Sequence, residues 1–108
     1  MATAPRPALE RDAVKVDPQH YKVERETDLF RIVRITYGPK EKSPMHQHAP
    51  GVGVMLTDAS FRFTYPDGRS EELHMKAGEF MCSDERWEHQ PENLTDKPFE
   101  ALIVELKK

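Results

Sequence analysis

Apolar and polar residues alternate along much of the chain, which is the pattern of half-buried β-strands. The clearest case is residues 61–65, Phe-Arg-Phe-Thr-Tyr, in which every second residue is aromatic. Because successive side chains of a strand point to opposite faces, this segment has one apolar and one polar face. A second segment alternates in the same way through Leu73 and Met75. Between the two, Pro66-Asp67-Gly68 predicts a hairpin turn, since glycine accepts the positive φ that such turns need.

Short strand-like segments separated by turn residues continue through the rest of the chain. Strands are predicted over residues 20–25, 29–37, 51–57, 79–83 and 99–107. Residues 51–57 are mainly apolar and favour a buried strand, whereas Gly38-Pro39 ends the strand before it. No stretch of about ten residues keeps a 3.6-residue period without a breaker. The pattern therefore predicts an all-β sandwich or barrel.

The N-terminal residues differ from the rest in composition. Residues 1–13 are rich in alanine, proline and charge and have no periodic apolar pattern, so we predict a flexible N-terminal arm. Such an arm can become ordered against a partner subunit. Residues 14–108 are long enough for one hydrophobic core and are predicted to form a single domain.

Charge and composition narrow the classes of partner. The chain has 19 acidic and 16 basic residues, giving a net charge of −3 and no basic patch that would favour nucleic acid. Its apolar stretches are too short to span a membrane, and its first residues lack the apolar segment of a secretory signal. Its single cysteine, Cys82, forms no internal disulfide, as is usual in a reducing compartment. We therefore expect a cytoplasmic protein without nucleic-acid or membrane partners.

Three of the five histidines form a candidate site. His46 and His48 are separated by one residue, so on a strand they project from the same face, with Cα atoms about 6.6 Å apart. That spacing lets two imidazoles approach one metal ion. His89 is the candidate third ligand, and three protein ligands leave the open positions of a reactive site. The alternative is that the three histidines are polar residues satisfied by the backbone or by water.

The spacing around these histidines resembles the two motifs of the cupin superfamily. The second cupin motif, Gly-x5-Pro-x-Gly-x2-His-x3-Asn, is matched in spacing by Gly78, His89 and Asn93. Asp84 and Arg86 stand where that motif has proline and glycine. The match adds a family-level reason to group His89 with the other two histidines.

The first cupin motif is matched by Gly38, with a slightly longer spacer, and by His46 and His48. Its glutamate is missing, because the expected position falls at Val52 or Gly53. Without that carboxylate, three neutral histidines leave the charge of a divalent ion uncompensated. We therefore expect the site to favour an anionic small-molecule ligand.

The resemblance extends from about residue 16 to 107 and is strongest to small stand-alone cupins, some of them labelled beta-alanine degradation proteins. It implies a cupin double-stranded β-helix, an RmlC-like jelly-roll barrel of six to eight antiparallel strands, commonly a homodimer. In this chain, segments 61–65 and 99–106 offer apolar surface for a two-fold interface. The resemblance does not supply a reaction.

Two hypotheses about function follow. In the first, the chain is a metal-dependent enzyme, similar to all-histidine cupin dioxygenases, acting on a small organic acid. His46, His48 and His89 would hold a divalent ion, with Fe(II) favoured over Zn, Ni, Mn or Cu. In the second, the barrel binds or senses a small ligand without turnover. No catalytic residue and no site for an organic cofactor is identified.

The remaining candidate residues have simpler interpretations. Cys82 is predicted to be a small buried apolar residue rather than a nucleophile. His74 alternates with Leu73 and Met75 and is predicted to face solvent on its hairpin. His20 follows a turn signal and is predicted to be structural, with no partner suggested by the pattern. Asn93 is predicted to serve a turn or cap.

Overall fold

The computed structural model of the protein describes residues 9–107. Within that range the chain is almost entirely antiparallel β-structure. It forms one short helix and nine strands: α1 (Ala13–Val16), β1 (Tyr21–Glu26), β2 (Phe30–Tyr37), β3 (His46–His48), β4 (Gly51–Met55), β5 (Ala59–Thr64), β6 (Ser70–Met75), β7 (Phe80–Ser83), β8 (Trp87–Asn93) and β9 (Phe99–Leu106).

The strands form two facing sheets, which confirms the predicted all-β jelly-roll barrel. One sheet has the order β1-β2-β9-β4-β7 and the other has the order β3-β8-β5-β6. Chain neighbours such as β2 and β3 therefore belong to different sheets, and the chain crosses between the sheets as it does in a jelly roll.

Residues on the inner faces of the two sheets make the core. In β5 the buried positions alternate through Phe61 and Phe63, and in β9 through Phe99 and Ile103. Each such side chain stabilises the fold by about 1.5–3 kcal/mol relative to an exposed one. The alternation seen in the sequence is therefore the pattern that places the core between the sheets.

The predicted hairpin turn is confirmed by the backbone. Gly68 has a φ of 90°, and its N–H donates to the Tyr65 carbonyl at 2.9 Å. The predicted strand boundaries agree with the observed ones to within about two residues. The strand β8 carries a proline, Pro91, which is paired with Phe63 of β5, whereas β3 pairs with β8 only over residues 87–89. A proline within a segment argues against a central strand in sequence-based reasoning.

The fourth strand is less buried than its apolar composition predicts. Gly51 and Met55 lie on the inner face of β4 and are buried, whereas Val52 lies on its outer face and is 44% exposed. The prediction of a buried strand over residues 51–57 is therefore wrong for one of the two faces.

The barrel is closed on one side and open on the other. The helix α1 lies beside β1 and β3, and the Arg11 carbonyl accepts a hydrogen bond from the Gln47 N–H of β3 at 2.7 Å. Residues 11–13, which the sequence assigns to the arm, are therefore packed here; residues 1–8 of the arm lie outside the described residues. At the other side, β6 and β7 are the free edges of the two sheets.

No helix in the described range is long and apolar enough to cross a membrane.

Candidate metal centre

The three candidate histidines meet because of one local and one long-range feature. His46 and His48 are two residues apart on β3, so both point to the inner face. In the pairing of β3 with β8, His46 lies directly opposite His89. Side chains at such opposite positions are near neighbours. The structure thus brings all three sequence-predicted site residues together.

The cluster is buried and compact. The exposed fractions of His46, His48 and His89 are 0%, 2% and 4%. One ring nitrogen from each lies within 4.8 Å of those of the other two. Nitrogens bound to a tetrahedral ion at about 2.0–2.1 Å would lie about 3.3 Å apart. The rings therefore need only small rotations to share an ion.

The His46 ring is held from its Nδ1 side. That nitrogen lies 3.0 Å from the Pro44 carbonyl and 2.9 Å from the Ser43 hydroxyl. A carbonyl only accepts, so the bond to Pro44 places the proton on Nδ1. The Nε2 atom of His46 is buried and has no hydrogen-bond partner among the described residues. Its lone pair faces a site that no protein donor fills.

The His48 ring is held by a carboxylate that the sequence reasoning missed. Its Nδ1 lies 2.8 Å from Oε2 of Glu105, a residue of β9 that is only 2% exposed. The acceptor fixes the proton on Nδ1, which leaves Nε2 as the free lone pair. A carboxylate behind a histidine in this way orients the ring and raises its basicity toward a metal.

Glu105 belongs to a buried chain of charges. Its Oε1 accepts a hydrogen bond from Nε of Arg31 at 2.9 Å, and Arg31 also contacts both carboxylate oxygens of Asp12 at 2.8 and 3.1 Å. Burial favours the neutral form of Asp12, but hydrogen bonds from Arg31 hold the pKa of Asp12 below its usual value. Asp12 also caps α1 by accepting from the Val14 N–H at 3.2 Å. The chain of charges therefore links the site to the N-terminal helix.

The His89 ring is held by packing rather than by a charged group. It stacks on Phe63, with ring centroids 4.0 Å apart and planes inclined by 26°. Burial, together with His48 and His46 nearby, lowers the pKa of His89 well below its usual value. Burial lowers the pKa of His46 to about 3, with a further contribution from His48. Both rings are therefore neutral at pH 7, which is the form that binds metals.

The donor set fits a divalent metal ion. Two histidines carry their proton on the nitrogen that faces the protein, and a buried Nε2 is left without a partner. The ligands are imidazoles, which suit Fe, Zn, Ni and Cu. They suit Mn less well, because Mn prefers carboxylate ligands.

Both candidate positions for the missing motif glutamate lie on β4. Of the two candidates, Val52 faces outward and Gly53 lines the interior beside His48 and His89. No side chain from β4 supplies the carboxylate. Glu105 is not one of the candidate ligands, but it brings a carboxylate to within hydrogen-bonding distance of a ligand ring.

Glu105 had a detectable signal in the sequence. It continues the inward series of β9, in which Phe99, Ala101 and Ile103 are also buried. A charged residue at an apolar phase of a strand is costly to bury unless it is paired. The glutamate at an inward position of this alternating segment therefore indicated that it has a buried partner.

Other predictions had mixed outcomes. His74 is exposed, as predicted. Asn93 serves a turn, as predicted, and its side-chain amide donates to the Gly38 and Lys97 carbonyls at 2.9 and 2.8 Å. Cys82 is exposed on the edge strand β7, so the prediction of a buried thiol is wrong.

His20 has contacts that the sequence pattern did not suggest. It is buried and contacts Asp17 at 2.6 Å and Glu41 at 3.1 Å, so it does have partners. It stacks on Tyr37 with a centroid separation of 4.2 Å. These contacts are structural, as predicted, and hold the start of β1 against the end of β2.

Two neighbouring spaces adjoin the histidines. The inner chamber has a volume of about 60 Å³ and is walled mainly by apolar residues, among them Phe61, Phe99 and Ile103, together with His48 and His89. The outer groove has a volume of about 380 Å³ and includes Tyr65, Glu71, Cys82, Arg86 and Glu88. Four residues line both spaces: Phe63, Met81, Trp87 and His89.

Solved structures of cupin domains share this architecture. A cupin domain from Bordetella pertussis superposes with a TM-score of 0.75 at 21% identity, over 82% of this chain and 92% of that chain. A protein with a double-stranded beta-helix domain from Klebsiella pneumoniae gives 0.61 at 16% identity, over 95% and 90%. The polyketide cyclase RemF from Streptomyces resistomycificus gives 0.62 at 16% identity, over 100% and 80%.

At these identities the similarity establishes the fold, a cupin double-stranded β-helix. No protein-family profile matches the chain, and no curated protein matches it in sequence.

Proposed function

We propose that His46, His48 and His89 hold a divalent metal ion, and that the protein is a metal-dependent enzyme acting on a small organic acid. The observation that carries the proposal is the buried, unpartnered Nε2 of His46, which lies in a cluster of neutral imidazoles. A buried polar atom without a partner costs about 1–3 kcal/mol, and metal ligation removes that cost. Fe(II) is the ion we favour, with Zn, Ni or Cu as alternatives and Mn the least suited.

The residues around the cluster prepare it for this role. Pro44 and Glu105 orient two of the rings, and Phe63 supports the third by stacking. When bound, an ion with three protein ligands keeps open positions at which it polarises a ligand oxygen, and a redox-active ion adds electron transfer. The apolar walls of the inner chamber exclude water from this position.

A second candidate function has one observation in its favour. Among residues 9–107 no carboxylate lines the inner chamber, and both oxygens of Glu105 are engaged, by His48 and by Arg31. The site thus offers no free general base, which favours a barrel that binds or senses a small ligand without turnover. Incubating the metal-loaded protein with short organic acids in air separates the two candidates, since only an enzyme consumes the acid.

The proposal is tested by metal analysis of protein purified without an affinity tag. We expect about one ion per chain in the wild type and in His74→Ala, whose histidine is exposed and outside the cluster. We expect the ion to be lost in His48→Ala, because two remaining imidazoles bind far more weakly than three. Absence of metal under every loading condition, or retention of the ion in both His48→Ala and His89→Ala, would refute the proposal.

A further inference from the structure

The inner chamber and the outer groove lie side by side next to the histidine cluster, because they share four lining residues. The groove lies between the edge strands β6 and β7 and beside β8, on the open side of the barrel. Trp87 and His89 line both spaces, two residues apart on the inner face of β8. Trp87 therefore lies at the boundary between the groove and the chamber that adjoins the histidines.

The inner chamber limits the part of a ligand that can enter it. One water-sized occupant needs about 10–15 Å³ of such volume, so about 60 Å³ accommodates a group of about four to six such units. Its walls are mainly aromatic and aliphatic, and an apolar cavity of this kind takes an apolar group. The chamber is thus suited to a short hydrocarbon chain.

The indole N–H of Trp87 has no acceptor. Its Nε1 is buried and has no hydrogen-bond partner among the described residues, although indole nitrogens usually find one when buried. The ring lies 6.3 Å, centroid to centroid, from both His48 and His89. The indole ring that carries this donor therefore lies beside the two ligand rings that line the chamber.

Charges in the groove do not oppose an anion as strongly as its composition suggests. Glu71 accepts a hydrogen bond from the Tyr65 hydroxyl at 2.8 Å, and Glu88 is paired with Arg11 at 2.7 Å. The groove also contains Arg86. The charge of Glu88 is thus compensated by Arg11, whereas Glu71 keeps its charge, which a neutral hydroxyl does not cancel.

We propose that Trp87 determines ligand specificity by donating its indole N–H to a carboxylate oxygen, and that the ligand is a short aliphatic carboxylate whose hydrocarbon chain fills the inner chamber. The inference rests on the proposed function in one respect, since the same carboxylate faces the ion held by the histidines. A carboxylate is the acceptor that suits both a cation and an N–H donor, because such hydrogen bonds are charge-assisted. Because Nε1 is buried, this contact requires the half-buried indole ring to rotate when the ligand binds.

Trp87 is the only tryptophan of the chain, so intrinsic fluorescence reports on this position alone. Metal-loaded protein is titrated with butyrate, with 1-butanol and with butylamine. We expect a saturable change in emission with butyrate at concentrations at least about tenfold lower than with either of the other probes. Equal response to all three probes would overturn the carboxylate assignment.

Chain length tests the chamber. Each methylene buried in it is expected to tighten binding about fourfold, so butyrate binds more tightly than acetate. Octanoate exceeds the chamber and loses this gain. A flat dependence from acetate to octanoate would overturn the placement of the hydrocarbon chain.

Two replacements test the N–H itself, with butyrate affinity measured by calorimetry. Trp87→Phe keeps an aromatic ring, and biosynthetic replacement of the single tryptophan by benzothienylalanine exchanges only N–H for sulfur. We expect each to weaken butyrate binding about tenfold to hundredfold with the metal content unchanged. Phe80→Leu, at an aromatic residue that is 66% exposed on β7, serves as the control and should bind as the wild type does.

The outcomes separate the two proposals. If metal binds but the benzothienyl protein binds butyrate as tightly as the wild type, the role of Trp87 is wrong and the metal site stands. If no metal binds, but the metal-free protein still binds butyrate in a manner that depends on the indole N–H, the metal site is wrong and the role of Trp87 stands.

Discussion

At the scale of single residues, Glu105 places a charged group directly behind the histidine cluster. One carboxylate oxygen orients His48 and the other is paired with Arg31, while the whole side chain is 2% exposed. A buried charge of this kind is tolerated only when both oxygens are satisfied. Glu105 thus couples the candidate metal ligand to the ion pair between Arg31 and Asp12.

Replacing this carboxylate by its amide tests the coupling. Glu105→Gln keeps the shape but weakens the hydrogen bonds to His48 and Arg31. We expect metal affinity to fall about 10–100-fold, as for other partners of metal-ligating histidines. We expect the free energy of unfolding to fall by about 1.5–3 kcal/mol. Competition with a chelator measures the first quantity and urea denaturation the second.

Glu100→Gln is the matched control on the same strand. Glu100 faces outward and is paired with Arg34 at 3.3 Å with both side chains partly exposed. Its loss should change stability by less than about 1 kcal/mol and leave metal affinity unchanged. Equal effects of the two replacements would mean that Glu105 has no special connection to His48.

The buried histidines predict an acid-sensitive fold in the metal-free protein. In the unfolded chain His46 has its ordinary pKa of 6.5, whereas burial lowers the pKa to about 3 in the folded state. Below pH 6.5 the unfolded state therefore binds more protons, and stability falls as pH falls. His89, whose pKa is also lowered, acts in the same direction. Stability is fully present above pH 6.5.

Denaturation in chelator between pH 7.5 and 5 measures this effect before most carboxylates titrate. Each buried histidine should contribute a slope of up to about 1.4 kcal/mol per pH unit. His46→Gln should reduce the slope, whereas His74→Gln, at an exposed position, should not. A wild-type stability that is constant over this range would contradict the burial of neutral histidines.

At the scale of secondary-structure elements, β4 shows why two glycines in one strand have different roles. A Cβ at Gly51 would lie 1.8 Å from the Val104 carbonyl oxygen, so the backbones of β4 and β9 approach too closely for any side chain there. A Cβ at Gly53 would meet nothing nearer than 3.8 Å. The first glycine permits the sheet to close, and the second leaves space in the chamber.

Alanine substitutions at the two positions should therefore change the stability of the protein by different amounts. Gly51→Ala should destabilise the protein by at least about 3 kcal/mol or prevent folding, because the clash is with backbone. Gly53→Ala should change stability by less than about 1 kcal/mol. Thermal unfolding of the two variants checks this, and similar melting temperatures would disprove the close approach of β4 and β9.

The strands also show which elements sequence reasoning can find. The strand β5 and the Gly68 turn were predictable because alternation and positive φ are local properties. The strand β8 is polar, contains Pro91 and has no apolar alternation, so its place between β3 and β5 depends on pairing alone. Cys82 was misplaced for a similar reason, since an edge position is decided by the sheet order.

At the scale of the whole molecule, the outer face of the larger sheet carries an apolar patch where β4, β7 and β9 meet, beside the ion pair of Arg34 with Glu100. Val52 is paired laterally with Val104 and Cys82, and Val54 with Leu102 and Phe80. Val52 and Phe80 are 44% and 66% exposed. A contiguous exposed patch of this kind usually marks an interaction site. The predicted apolar surface on β5 is absent, because Phe61 and Phe63 are buried in the core.

The homodimer thus remains a prediction, with β9 and its neighbour β4 as the expected interface. Light scattering after size exclusion should give twice the chain mass of 12.5 kDa. Val52→Lys should shift the protein toward the monomer by burying a charge in the interface. Leu29→Lys, at a 62% exposed residue between β1 and β2, is the control. A wild-type mass of 12.5 kDa would refute the dimer.

The sequence by itself determined the fold class and two of the three histidines, because alternation and the i, i+2 spacing are set by the geometry of one strand. The position of His89 opposite His46 required a register between distant segments, for which only the motif resemblance gave a hint. The tertiary structure alone decided that the Glu105 carboxylate lies behind His48 and that the indole N–H of Trp87 has no acceptor among residues 9–107. These properties depend on which strands become neighbours, and pairing between segments remote in the chain is not encoded in the local pattern of either one.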